Sequence, residues 1–340
     1  MKRAFLAGFI ALAAILTGCV AMRPPAPSSH AAEAAHQTLA RTVAFPKLFQ
    51  QPDDGSWLDI QRYDVFRGVR KAGFTAVRIF ADFDHAPRQP GSKEPELNDT
   101  WLTRLERVAR QADRSGLAVV LAARTEADLS TDAAQDRLVA DWSQLAWRLR
   151  TASSRIYFEL LENPAGDLTD AAWSRLAEEL RLNIRLSNPT RTIIVGPAHR
   201  YDPAHLPFLD LPPDPNLLFA FAYHEPVAFT RQGDPAIRGS DAWLGTRWTG
   251  TGEEMTRIET DLDRAARWAR QNGHKLVCFS FISSARAEPT SRMQWTYFVA
   301  RALEERDIAW CYGSFAGDAG VFDRDWRIWR QPLLDTLLNK

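Results

Sequence analysis

Cysteine is scarce in this chain: three in 340 residues, Cys19, Cys278 and Cys311. None falls in a Cys-x-x-Cys or Cys/His spacing, so neither a metal ligand set nor a cofactor is expected, and the chain is no disulfide-stapled scaffold. Cys278 and Cys311 both lie in extended, apolar segments, where two buried thiols are a better reading than a disulfide. An excess charge of one sign is also missing, with 42 Lys and Arg against 42 Asp and Glu. Nucleic acid is therefore not an expected partner. The loop Gly250-Thr251-Gly252-Glu253-Glu254 has no lysine after it, so it is no phosphate cradle, and Thr251 or a neighbour caps a helix instead. The apolar run Ala4–Leu16 is too short to span a bilayer comfortably.

That run has a different use. Lys2 and Arg3 precede it, the layout of a secretory signal, and it closes on Leu16-Thr17-Gly18-Cys19, which resembles a bacterial lipobox. The resemblance implies cleavage before Cys19 and lipid on its thiol, giving a membrane attachment through an N-terminal lipid. Val20 rather than Asp follows the cysteine, which favours the outer membrane of a Gram-negative envelope. The alternative is an ordinary secretory peptide with a chance cysteine. Residues 19–38, rich in Ala, Pro, Ser and His, read as a flexible tether. The division is then 1–18 signal, 19–38 tether and 39–340 one folded domain.

About 300 residues suit one closed α/β barrel. Helical and extended signals alternate along them. Tyr63–Ala72 has helical spacing and stops at Gly73, and Thr75–Phe80 is a β-branched strand. Asn98-Asp99 opens a helix running to Gly116, and the strand Leu117–Leu121 follows. Further strands are predicted at Ile156–Leu161, Thr192–Gly196, Leu217–Tyr223, Lys275–Phe281 and Ile308–Tyr312, with an eighth near Thr42–Phe45. Trp142, Trp173, Trp268 and Trp295 sit at helical spacing and belong to helix–sheet packing. Eight such units make a (β/α)8 TIM barrel, whose site lies at the C-terminal ends of its strands.

Four segments at or near strand ends resemble glycoside hydrolase family 5, the cellulase-like family. They are Ala72–Ile79, Phe158–Pro164, Tyr223-His224-Glu225-Pro226 with Phe229–Gly233, and Gly320–Asp323. The resemblance covers nearly the whole mature chain, and it rests on the order and spacing of the segments. It implies a retaining glycosidase with two carboxylates about 5 to 5.5 Å apart, one nucleophile and one acid/base. Both implied positions are altered. The family's Asn-Glu-Pro is here Glu162-Asn163-Pro164, which puts the amide Asn163 where the proton donor belongs. Ser280 stands where the family has its nucleophilic Glu, and a serine without an adjacent histidine base is a poor nucleophile. Arg124 replaces a family histidine and Gly313 a family tryptophan. Arg78 is kept, but its usual carboxylate partner is missing unless Glu162 or Glu225 takes that role.

Three functions stay open on these residues. One is a degenerate barrel that still engages a β-linked polysaccharide or oligosaccharide through Arg78, Arg124, Tyr223, His224, Trp310 and the Trp243/Trp248 loop. Another is an active β-glycosidase of endoglucanase or mannanase type whose carboxylates have moved to Glu162 and Glu225. The third is a non-catalytic assembly lipoprotein of an exopolysaccharide or cell-wall machine. Glu162 reads either as a candidate catalyst or as a strand-end carboxylate paired with Arg78 or Arg124. Glu159 reads as a buried, paired carboxylate beneath the site, and His224 as a hydrogen-bonded wall residue.

Overall fold

The computed structural model describes residues 30–49, 64–91 and 96–339. Eight parallel strands close a barrel in chain order, with β8 returning to β1. They are β1 (Arg41–Phe45), β2 (Ala76–Asp82), β3 (Ala118–Arg124), β4 (Ile156–Glu159), β5 (Ile193–Val195), β6 (Leu217–Ala222), β7 (Leu276–Phe281) and β8 (Ala309–Tyr312). The predicted eighth strand near Thr42 is thus the first. The (β/α)8 expectation holds, and the reason is visible in the alternation of side chains. In β2, Ala76 and Phe80 join the barrel interior while Val77, Ile79 and Ala81 face the helices. A closed parallel sheet covered by helices buries both faces, so every residue of β2 is buried.

The outer ring contains α2 (Val65–Ala72), α3 (Asp99–Arg114), α4 (Asp132–Arg148), α5 (Asp170–Arg185), α6 (Gly252–Asn272), α7 (Pro289–Glu305) and α8 (Gln331–Leu338). Their starts carry the predicted caps. Asn98 accepts from the amides of Thr100 and Trp101, and Thr251 forms a capping box with Glu254. Gly73 ends α2 at φ 115°, a left-handed conformation that glycine adopts without steric cost. Trp142, Trp173 and Trp295 are fully buried between helices and sheet, and Trp268 packs against the same core.

Two expectations need correction or completion. Residues 30–38 are not tether: His30–Thr38 forms a helix, α1, that closes the N-terminal end of the barrel. Ala32, Ala35 and Leu39 enter the barrel interior, and His36 Nε2 accepts the Ala309 amide at 3.3 Å. The Ala-rich composition that reads as a linker is what a helix needs to sit close against strand ends. Residues 1–29, with the signal, the lipobox and Cys19, lie outside the described residues. Cys278 and Cys311 are both free thiols. Alternation sends Cys278 toward the helices and Cys311 into the barrel, so neighbouring strands do not bring the sulfurs together as a pair.

Candidate functional site

The C-terminal mouth of the barrel is built around Arg78, on the inner face of β2. Its Nε and Nη2 donate to Glu159 at 2.7 and 2.5 Å, and Nη1 donates to the Phe279 carbonyl at 3.0 Å. The guanidinium lies 4.7 Å from the Phe80 ring centroid and 4.9 Å from that of Phe279. Burial works against this charge, yet Glu159 and Glu162 together hold Arg78 above its ordinary range. Burial likewise pushes the Glu159 carboxyl upward against the pull of Arg78. An arginine keeps its proton in proteins, and here it presents two N–H groups to two carboxylate oxygens. Glu159 therefore stands as the acceptor anion of a buried fork. The partner that Arg78 was expected to lack is Glu159, the last residue of β4.

Glu162 sits above this pair. Arg124 Nε donates to its Oε2 at 2.7 Å, and Arg78 Nη1 lies 3.9 Å from its Oε1. Arg124 also donates to the Pro46 carbonyl at 2.8 Å and lies 4.2 Å from the Phe80 ring centroid. Two guanidiniums and two carboxylates thus compensate each other at the mouth. The paired reading of Glu162 holds, with both suggested arginines.

A residue that sequence reasoning missed completes the arrangement. The Tyr201 hydroxyl is 3.0 Å from Glu159 Oε1 and 2.7 Å from the Leu161 carbonyl oxygen, and its ring is buried in the barrel. Burial, then the Glu159 charge, hold this phenol well above its ordinary range, so it remains a donor. His199, Arg200 and Tyr201 all have positive φ, at 57°, 62° and 62°, and this left-handed turn after β5 swings the ring inward. Gly196 makes the space, because a Cβ there would lie 2.4 Å from the ring. A glycine at a strand end is the sequence signal that marks such a close approach.

The implied catalytic positions are Asn163 and Ser280. Asn163 is exposed at φ 50°, a conformation that asparagine tolerates better than glutamate. It lines a rim cavity of about 320 Å³ with Thr125, Glu126, Asp128, Leu161 and Gly166. The Glu-Asn order is therefore consistent with the local backbone. Ser280 lies at a break in the β7 register, half-buried, and its carbonyl accepts the Tyr223 amide at 2.8 Å. His224, which follows on β6, has a buried Nδ1 without a hydrogen-bond partner. Burial and the charge of Arg231 push the ring down to about 4, so it is neutral at pH 7.

Three expected sugar contacts face elsewhere. Tyr223 and Trp310 belong to the outer core between sheet and helices, with the Tyr223 hydroxyl 3.3 Å from Asp261 and Trp310 Nε1 donating to Glu304 at 3.1 Å. The reason is again period two: Phe221 on β6 and Tyr223 just after it, and Trp310 and Tyr312 on β8, point outward together. Trp248 is buried against Phe298. Glu225 lies in the segment after β6. Its carboxylate accepts the Val227 amide at 3.3 Å and acts on Tyr223, whereas the carboxylates acting on Arg78 are Glu159 and Glu162.

A (β/α)8 barrel with charged side chains at the carboxyl ends of its strands is the architecture of many hydrolases, and the comparisons with known proteins narrow it. The description of cellulase (glycosyl hydrolase family 5) matches residues 44–317, and the chain belongs to that family. Endoglucanase H of Acetivibrio thermocellus is 27% identical over 298 residues, which cover 85% of this chain and 32% of that protein. The chain thus spans about a third of that relative's length. Among solved structures, a hyperthermophilic endo-β-1,4-glucanase in complex with substrate superposes with a TM-score of 0.84 at 26% identity, over 91% of this chain and 99% of that one. The cellulose synthase subunit Z of Clostridioides difficile gives 0.80 at 27% identity, over 88% and 99%.

Proposed function

We propose that this family 5 barrel engages a β-linked polysaccharide with lost or much reduced hydrolysis, and that lipid on Cys19 holds it in the cell envelope, at the outer membrane. The observation that carries the reading is that the two carboxylates gathered around Arg78 are committed to guanidiniums, Glu159 to Arg78 and Glu162 to Arg124. Asn163 and Ser280, at the positions the family uses for chemistry, supply neither a proton nor an anionic nucleophile. Losing one general acid or base typically costs about 10²- to 10⁴-fold in rate, and here two positions differ.

The rim retains features suited to a glycan. A cavity of about 290 Å³ is lined by Phe45, Lys47, Ser314, Asp318, Asp323 and Arg330 at the ends of β1 and β8. Beside it a short hairpin, β9 (Phe322–Asp323) and β10 (Ile328–Trp329), carries Trp326, which is 78% exposed. An exposed indole next to hydrogen-bonding side chains is a stacking platform for a sugar ring.

The test is reducing-end release on β-glucans, mannans and xylans by the purified protein, beside Glu162→Gln, Asn163→Glu with Ser280→Glu, and Trp326→Ala. The expected result is no release, retention of one polymer in a pull-down, and weaker retention by Trp326→Ala. Release that disappears in Glu162→Gln overturns the reading in favour of a β-glycosidase with relocated carboxylates. A second reading, an assembly subunit of an exopolysaccharide machine, draws on the likeness to the cellulose synthase subunit. It is favoured if no polymer is retained.

A further inference from the structure

On the outer rim of the same face, away from the Arg78 cluster, three ligating side chains converge. Asp170 is the first residue of α5, His199 lies in the left-handed turn after β5, and His205 lies in a short 3₁₀ segment, Pro203–Phe208. His205 Nδ1 is 2.9 Å from Asp170 Oδ2, and His199 Nε2 is 3.8 Å from the same oxygen. The two imidazole centroids are 4.1 Å apart, and the three ligand atoms all lie within 4.8 Å of one another. Their spacing along the chain matches no metal motif, so no linear pattern marks them.

We propose that Asp170, His199 and His205 form a binding site for a divalent transition metal of the zinc class. Ligands about 2.0–2.2 Å from a tetrahedral ion lie about 3.3–3.6 Å from one another, between the 2.9 and 3.8 Å that separate Asp170 Oδ2 from the two histidine nitrogens. Two neutral nitrogens and one anionic oxygen suit zinc, cobalt or nickel, whereas calcium and magnesium take oxygen ligands. Three protein ligands leave one position for water or a group from another molecule. His199 and His205 remain 45% and 28% exposed at their side chains, so an ion has access.

The position gives the metal a structural consequence. It would join the start of α5 to the turn holding Tyr201, whose hydroxyl meets Glu159 and the Leu161 carbonyl. The same turn is already docked on the β4 loop through the Arg200 amide, which donates to the Pro164 carbonyl at 2.8 Å. A bound ion therefore braces Tyr201 in the barrel. This inference is independent of the glycan reading.

The full chain, produced without a polyhistidine tag and stripped with EDTA, is titrated with Zn²⁺ by calorimetry and with Co²⁺ by visible absorption. One ion per chain is expected, with the strong visible bands of four-coordinate Co²⁺ and a higher Tm in Zn²⁺ than in EDTA. His199→Ala and His205→Ala are expected to weaken binding by about tenfold or more and to abolish the Tm rise, while His85→Ala changes neither. No stoichiometric uptake by the native chain, or equal uptake by the double histidine variant, overturns the proposal. Should the variants fail to fold, X-ray absorption at the zinc edge of the native protein decides, two imidazoles being expected and fewer than two overturning it.

Discussion

The two ends of this barrel are closed by different physics. At the N-terminal end, α1 and the residue after it lay Ala32, Ala35 and Leu39 across the strand starts as an apolar lid. At the C-terminal end the interior is filled by Arg78, Glu159, Tyr201, Arg124 and Glu162, joined by charge and hydrogen bonds. An apolar lid loses stability in proportion to the area and volume removed. A charged plug fails as a unit, because each group left without its partner bears its full desolvation penalty. At the C-terminal end two guanidiniums and two carboxylates compensate each other.

The sharpest way to break the comparison is Glu159→Ala, which strands Arg78 in the barrel. A loss of about 3–5 kcal/mol is expected in urea unfolding, most of it recovered when Arg78→Met is added. Failure of the second substitution to rescue would show that the plug is not held by charge. Leu39→Ala at the opposite end should cost about 2–5 kcal/mol through lost transfer energy and a cavity, with no partner substitution able to restore it.

Acid probes both ends at once. His274, stacked on Phe219 just before β7, and His224, just after β6, are each pushed down to about 4, His274 by burial and His224 by burial and Arg231. A folded-state value below the unfolded value of about 6.5 means that the unfolded chain binds more protons. The stability these rings contribute is full above about pH 6.5 and is lost as pH falls toward 4, each by at most about 3 kcal/mol. Urea midpoints measured across that range should fall, and His274→Leu should flatten part of the slope.

Smaller effects refine the picture at the mouth. Tyr201→Phe removes the hydroxyl from Glu159 and the Leu161 carbonyl and should cost about 1–3 kcal/mol, read from the shift in urea midpoint. Asn163→Glu alone should cost about 1 kcal/mol, because glutamate enters a left-handed conformation at φ 50°. A cost-free substitution would remove the local argument for the exchanged Glu-Asn order.

Much of the fold was legible because strand and helix periods differ. The eight strands fall at the extended segments predicted for them, and Asn98 and Thr251 cap helices at the expected places. The site was legible only in part. Glu162, Arg124, Arg78 and the buried role of Glu159 were found from three strands and their resemblance, since a strand end names its own mouth residues. Trp310 and Tyr223 were misplaced, because assigning a face requires knowing where each strand's alternation meets the barrel interior. Tyr201 and the Asp170, His199 and His205 cluster were invisible, because loops bring them together from separate units.

The sequence by itself determined the class of fold and the family, both properties of residue type and order along the chain. Only the tertiary structure decided that Glu159 takes the fork of Arg78 with Glu162 above it, that Tyr201 meets Glu159 inside the barrel, and that α1 belongs to the barrel. Those outcomes depend on distances across the barrel interior, which no local period encodes.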